Sequence, residues 1–104
     1  MVWVDFSPQM GREQAGRRPA VVVGSSVGVK ISERHGLVTV LPCTGTDRGW
    51  AWQPRISLKG RPCVVMCEQI KSVSVDRVVG RHEAQLTDEE IADIRAALRR
   101  LLGL

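Results

Sequence analysis

A chain of 104 residues suffices for one domain, taken to run over 1–104, and its apolar fraction of 43% can fill one core. Lys and Arg number 15 against 11 Asp and Glu, a net charge of +4 carried mostly by arginine, the side chain that grips phosphate with a planar fork. Three cysteines without regular spacing exclude a disulfide framework, and no apolar run reaches the roughly 18–20 residues that a membrane-spanning helix needs. A reducing, cytoplasmic setting is expected, without membrane association and with no leader at the start of the chain.

Val2 to Phe6 reads as the first strand, ended by Ser7-Pro8. A polar loop follows from Gly11 to Arg18, and Pro19 leads into Ala20-Val21-Val22-Val23, the continuous apolar run of a buried strand. Residues 24–36, rich in Gly and Ser, read as an excursion with room for a short helical turn. Gly36 to Leu41 is the next strand, with Pro42 at its end or on an edge. Thr44 to Gly49 has turn composition. Trp50 and Trp52 then stand one residue apart, so on a strand they would point the same way. Core or interface cover is one role open to them, and a gate or base-stacking platform is the other.

Arg55 to Leu58 reads as a strand, Lys59 to Pro62 as a turn, and Cys63 to Cys67 as another strand. Val73 to Val75 alternates like a half-buried strand, which Val78-Val79-Gly80 can continue. The period then changes. Thr87-Asp88-Glu89-Glu90 is a capping box, and Ile91, Ile94, Leu98 and Leu101 recur at helical spacing. Acidic residues crowd the first turn, arginines the later ones, and Gly103 is placed to end the helix. The fold class is therefore mainly β with a C-terminal helix: a strongly twisted antiparallel sheet or small barrel with the helix packed on it.

Few of the familiar chemical motifs are present: no phosphate-binding P-loop, dinucleotide glycine motif, nucleophile elbow or HExxH. His35 and His82 lie far apart in polar segments, and Asp5, Asp47 and Asp76 show no metal-binding cluster. Cys43, Cys63 and Cys67 read as small buried residues of strands. What remains is a set of arginines, carboxylates and hydroxyls. Arg12, Glu13, Gln14, Arg17 and Arg18 share one loop; Thr44, Thr46 and Arg48 share a turn; Glu68, Gln69 and Lys71 follow the fifth strand. Each group alone reads as hydrophilic surface. Together they suit attack by an RNA 2′-hydroxyl on its own neighbouring phosphate, which needs neither a metal nor a histidine. The nucleophile arrives with the substrate, and the protein has to hold the phosphate and stabilise its growing charge.

Val2-Trp3-Val4-Asp5-Phe6-Ser7-Pro8 followed by Gly11-x-Glu13-Gln14-x-Gly16-x-Arg18-Pro19-Ala20-Val21-Val22 closely resembles the opening of the MazF/PemK family of toxin endoribonucleases. Leu41-Pro42-Cys43-Thr44 resembles the family's strand end with its threonine, and Cys67-Glu68-Gln69-Ile70-Lys71-Ser72 its Asp/Glu-Gln-Ile-Arg/Lys segment. The terminal helix introduced by Leu86-Thr87 fits as well, so the resemblance runs through essentially the whole chain. It implies an SH3-like barrel that forms a homodimer. It implies sequence-specific, metal-independent cleavage of single-stranded RNA with no cofactor, leaving a 2′,3′-cyclic phosphate and a 5′-hydroxyl. It also implies a cognate antitoxin whose acidic, flexible tail occupies the RNA groove.

Residue by residue, the resemblance implies a catalytic role for Arg18, Thr44 and the loop carboxylate Glu13. Arg12, Gln14, Arg17, Thr46, Arg48, Trp50, Glu68, Gln69 and Lys71 are candidate RNA contacts. The sequence departs from the PemK branch in having Arg12 where that branch has histidine, and Met66 and Glu68 where it has arginine and aspartate. Met66 is thereby excluded from catalysis and the MazF branch favoured. The few residues that usually precede the family's first strand are lacking, so that strand is expected to be shortened. Two other readings stay open: a CcdB-like toxin that binds gyrase and cleaves nothing, because fold alone does not decide function, and a degenerate member that only binds nucleic acid.

Overall fold

The computed structural model describes residues 1–6 and 16–104. Among these, seven antiparallel strands and two α-helices follow one another in the chain. β1 (Val2–Asp5) lies between β2 (Arg17–Val22) and β7 (Val78–Arg81). Its ladder to β2 is continued by Phe6, whose N–H donates to the Gly16 carbonyl at 2.9 Å. β1 spans four residues, and Phe6 stands beyond it with its side chain fully buried.

β3 (Leu37–Thr44) organises the sheet. One edge pairs with β2, with Val22 opposite Val40 and Ala20 opposite Pro42. The other edge is shared. β6 (Lys71–Ser74) covers its first half, Leu37 to Val40, and β5 (Arg61–Val65) its last two residues. β4 (Arg55–Leu58) extends the sheet from β5. The strand order β4-β5-β3-β2-β1-β7 does not return on itself, so the described strands form a bent open sheet rather than a closed barrel.

β3 runs past Pro42, where the sequence suggested an end or an edge position, and it is flanked on both sides there. The reason lies in which edge the proline presents. The Pro42 carbonyl accepts the Met66 N–H at 2.8 Å, so Pro42 turns its backbone polar edge away from β2. In a strand, N–H and C=O of one residue point to the same side. The missing N–H therefore falls where β6 gives way to β5, and no ladder donor is lost.

Successive side chains of β2 and β3 feed two cores. Val21, Leu41 and Cys43 pack with Ile56, Leu58, Cys63, Val65 and Cys67 on one side. Ala20, Val38 and Val40 pack with Val4, Phe6 and Val73 on the other. This two-sided burial is why the valine run is continuous rather than alternating. The first core is closed by α2 (Asp88–Leu102) through Ile94 and Ala97.

α2 matches its sequence signature: Thr87 accepts from the Glu90 N–H, Glu90 returns the bond to the Thr87 N–H, and Gly103 ends the helix at φ 71. The excursion before β3 holds more than a turn. It is α1 (Ser26–Arg34), nine residues long, capped by Ser25, whose hydroxyl accepts the Gly28 N–H. The β4–β5 turn is tighter than the expected Lys59 to Pro62. Lys59 and Gly60 alone make it, both at positive φ (52 and 82), as a type I′ hairpin requires, and β5 starts at Arg61. β5 ends at Val65, and Cys67 begins a 3-10 turn, Cys67–Gln69, instead of closing a strand. Val75 likewise opens a 3-10 turn, so β7 is a separate strand paired with β1 and does not continue β6.

Candidate functional site

The site is built on the ends of β2 and β3. Val22 faces Val40, Val21 faces Leu41 and Ala20 faces Pro42. Arg18 and Thr44 each lie two residues beyond the last pair of that register, Ala20 with Pro42, and each faces the same way as the member of that pair on its own strand. Strand periodicity requires this, because residues two apart share a face. β1 fixes Arg18 from the other edge, where it pairs with Val4. Arg17, one residue earlier, pairs with Asp5, points to the opposite face and is exposed.

Thr44 is 7% exposed. Its hydroxyl oxygen accepts the Thr46 N–H at 3.2 Å, a turn that fixes the rotamer and leaves the hydroxyl hydrogen to be donated elsewhere. The Thr44 carbonyl accepts from the Cys63 thiol at 3.2 Å. Bonding to the Cys43 thiol holds the Cys63 thiol below its ordinary range against the effect of burial, and the Arg18 guanidinium adds a smaller pull in the same direction. All three cysteines are free and buried, and burial pushes Cys67 up to about 12.

Lys71 sits opposite Val40 on β6, on the same face as Arg18 and Thr44, with its ammonium 5.5 Å from the centre of the Phe6 ring. Gln69 closes the 3-10 turn just before it. One face of the sheet therefore gathers two cations and a hydroxyl above an apolar floor, an arrangement able to hold a phosphate and to stabilise negative charge on it. Arg12, Glu13 and Gln14 lie outside the described residues.

The turn after β3 carries a second group. Arg48 stands over the Trp50 ring at 5.3 Å, and Trp50 stacks on Trp52 with centroids 5.2 Å apart and planes at 25°. These residues are in a turn, closed by the Gln53 N–H on the Trp50 carbonyl at 3.0 Å, and not on a strand. Asp47 pins the loop by accepting from the Gly49 N–H and from Arg55 Nε at 2.5 Å. The Arg55 contact, followed by the Gly49 amide, holds the Asp47 carboxyl below the usual range.

Glu68 ties this loop to the segment after β5. Its carboxylate accepts from Trp52 Nε1 at 3.1 Å and from Gln53 Nε2 at 2.8 and 3.1 Å. Gln53 is 4% exposed, and its Oε1 is buried with no hydrogen-bond partner among the described residues. Sequence reasoning missed Gln53, since a single glutamine after two tryptophans carries no signal of burial or of its distant carboxylate partner.

A family model described as PemK-like, MazF-like toxin of type II toxin–antitoxin system matches residues 1–102. The endoribonuclease toxin MazF of Escherichia coli K12 is 31% identical over 103 residues, spanning 99% of this chain and 90% of that protein. MazF from Deinococcus radiodurans, at 29% identity, superposes with a TM-score of 0.82 over 99% of this chain and 92% of that one. A MazE–MazF structure from the same organism gives 0.76 at 29% identity, over 99% and 91%. The gyrase-binding alternative gains no support from these relatives. The matched model spans both the β2 and β3 strands that bear Arg18 and Thr44 and the helix that closes the core, and the chain belongs to the PemK-like, MazF-like toxin family of type II toxin–antitoxin systems.

Proposed function

We infer that the chain is an endoribonuclease toxin that cuts single-stranded RNA at preferred sequences without a metal ion, slows growth by destroying messages and is silenced by its antitoxin. The reading is supported above all by one observation: Arg18 and Thr44 each lie two residues past the last β2–β3 pair with the same side-chain parity, and Lys71 stands opposite Val40 on β6. In the reaction the 2′-oxygen attacks the adjacent phosphorus, the bond from phosphorus to the 5′-oxygen breaks, and a 2′,3′-cyclic phosphate and a 5′-hydroxyl result. The 2′-hydroxyl loses a proton and the departing 5′-oxygen gains one.

Arg18 binds the scissile phosphate and stabilises the charge that builds on it. A guanidinium with a pKa above about 12 is a poor proton donor, so its role is electrostatic and water protonates the leaving oxygen. Thr44 donates its hydroxyl hydrogen to the same group. Glu13 orients Arg18. Arg12, Gln14, Arg17, Arg48 and Lys71 line the path of the RNA backbone. The working unit is a homodimer in the cytoplasm, and an acidic, flexible antitoxin tail competes with RNA for the basic face.

Purified protein incubated with long RNA in EDTA tests this. Discrete cuts with 5′-hydroxyl ends are expected. Absence of cleavage, or cleavage that EDTA abolishes, overturns the reading, and inhibition of supercoiling without cleavage replaces it with gyrase binding.

A further inference from the structure

Four aromatic residues of the Phe and Trp type are all that this chain has, three of them tryptophan, and two stand stacked and open on one exposed turn. Trp50 is 42% exposed and Trp52 40%. Neither ring serves the two cores. The turn is nevertheless held firmly. Thr46 is tied to Thr44 at one end, and at the other Gln53 and Trp52 both donate to Glu68. Glu68 belongs to the 3-10 turn after Met66, whose N–H is on the Pro42 carbonyl two residues before Thr44. Both anchors of the stacked pair therefore lead back to the end of β3.

We propose that Trp50 and Trp52 form a stacking platform for one unpaired base next to the scissile phosphate, and that Gln53 and Glu68 are positioning residues that fix its height and tilt. The proposal rests on the endoribonuclease reading and deepens it by assigning the choice of cleavage site to this turn. Bases of single-stranded RNA are bound by stacking on aromatic rings and guanidinium planes. The Arg48 guanidinium over Trp50 marks a ring face that already accepts a planar group, and a base takes the same place. Glu68 acts through the indole N–H and the buried amide. Three of its acceptor positions are taken by protein donors, so it sets the platform and does not read a base edge.

Two measurements test the platform. Cleavage of a randomised RNA pool, with ends sequenced, compares the wild type with Trp52→Phe, Gln53→Leu and Glu68→Gln. Trp52→Phe keeps a ring and loses the N–H to Glu68. It is expected to relax selectivity at one base position and to raise KM by roughly tenfold with kcat changed less than about threefold. Gln53→Leu acts in the same direction, while Glu68→Gln, which keeps an acceptor for the indole, restores most of the selectivity. In the second measurement, a non-cleavable 2′-O-methyl oligonucleotide is titrated into the Trp3→Phe protein, where only the pair emits. Saturable quenching is expected.

Unchanged site selectivity in a folded Trp52→Phe protein overturns the platform while leaving the endoribonuclease reading intact, and so does the absence of quenching by an oligonucleotide that binds. A wild type that cuts no RNA defeats the endoribonuclease reading. Quenching then decides the platform alone, for it if present and against it if absent.

Discussion

Thr44 shows how much a single side chain is constrained. It ends β3, is buried, and spends an oxygen lone pair on the Thr46 amide, so its hydrogen is what remains to contribute. Thr44→Val removes that hydrogen at nearly constant volume. Loss of one donor to a developing oxyanion typically costs about 10²–10³ in rate, and that drop in kcat is expected with the circular dichroism spectrum unchanged. Arg18→Ala is expected to abolish cleavage in a protein that still folds, because Arg18 lies at the open end of β2 and belongs to neither core. Residual cleavage at more than about 1% of wild type would transfer its role to another cation.

A different residue carries a pH signature. His82 stacks on Trp3 at 5.0 Å, and its Nδ1 accepts the Ala84 N–H at 3.0 Å, a bond that needs the neutral ring. Burial, then the N-terminal amine and Lys59, holds its pKa below the ordinary histidine value. The unfolded chain thus takes up the proton first. The stabilisation is complete above the unfolded pKa and falls away as the pH drops through it toward the folded value. Tm should therefore decline between about pH 7.5 and 5.5, and His82→Asn, which keeps an acceptor but does not titrate, should remove that part of the decline.

At the scale of elements, α2 was the most legible part of the sequence. Its cap, its apolar spacing and its closing glycine are all local signals, and local signals survive into the fold. Glu90 does more than the capping box foretold, since its carboxylate also accepts the Ser57 N–H at 2.7 Å and fastens the helix to β4. Burial pushes the Glu90 pKa up, but the Thr87 and Ser57 amides outweigh it and leave the carboxyl below its usual range. Thr87→Ala should cost about 1 kcal/mol, seen as a Tm several degrees lower in a thermal melt.

Other elements were hidden because tertiary contacts decide them. α1 carries Gly28 inside it, and Val27 and Ile31 on its surface are exposed, so its sequence shows no core-facing stripe. Pro42 looked like a strand end because one chain segment does not reveal that β3 changes partner there. Trp50 and Trp52 stack as expected of neighbours on one face, but a turn brings them together instead of a pleat. Of the candidate site, Arg18 and Thr44 stand in motifs that the sequence shows, and both lie just past the last pair of the β2–β3 register. Glu68 was legible as a residue, whereas its link to Gln53 spans 15 positions and leaves no periodic trace.

For the molecule as a whole, the balance of 15 basic against 11 acidic residues governs association with a polyanion. Affinity for single-stranded RNA should fall with salt, log K dropping by about 0.7 per unit of log salt for each phosphate contact. A titration of RNA binding against sodium chloride measures that slope, and Lys71→Ala should reduce it by about one contact. A response independent of salt would remove the basic face from the RNA path.

β3 also bears on when the protein becomes dangerous to the cell that makes it. Arg18 and Thr44 are both present once 44 residues have been made, but the second edge of β3 is filled only by residues 61–65 and 71–74. A nascent chain that ends at Thr44 holds both residues but lacks the strands that fill the second edge of β3. At about 5–20 residues per second, the 30 positions from Thr44 to Ser74 take a few seconds more, and α2 comes later still. The second edge of β3, the strand that ends in Thr44, is thus complete only after Ser74 has been made.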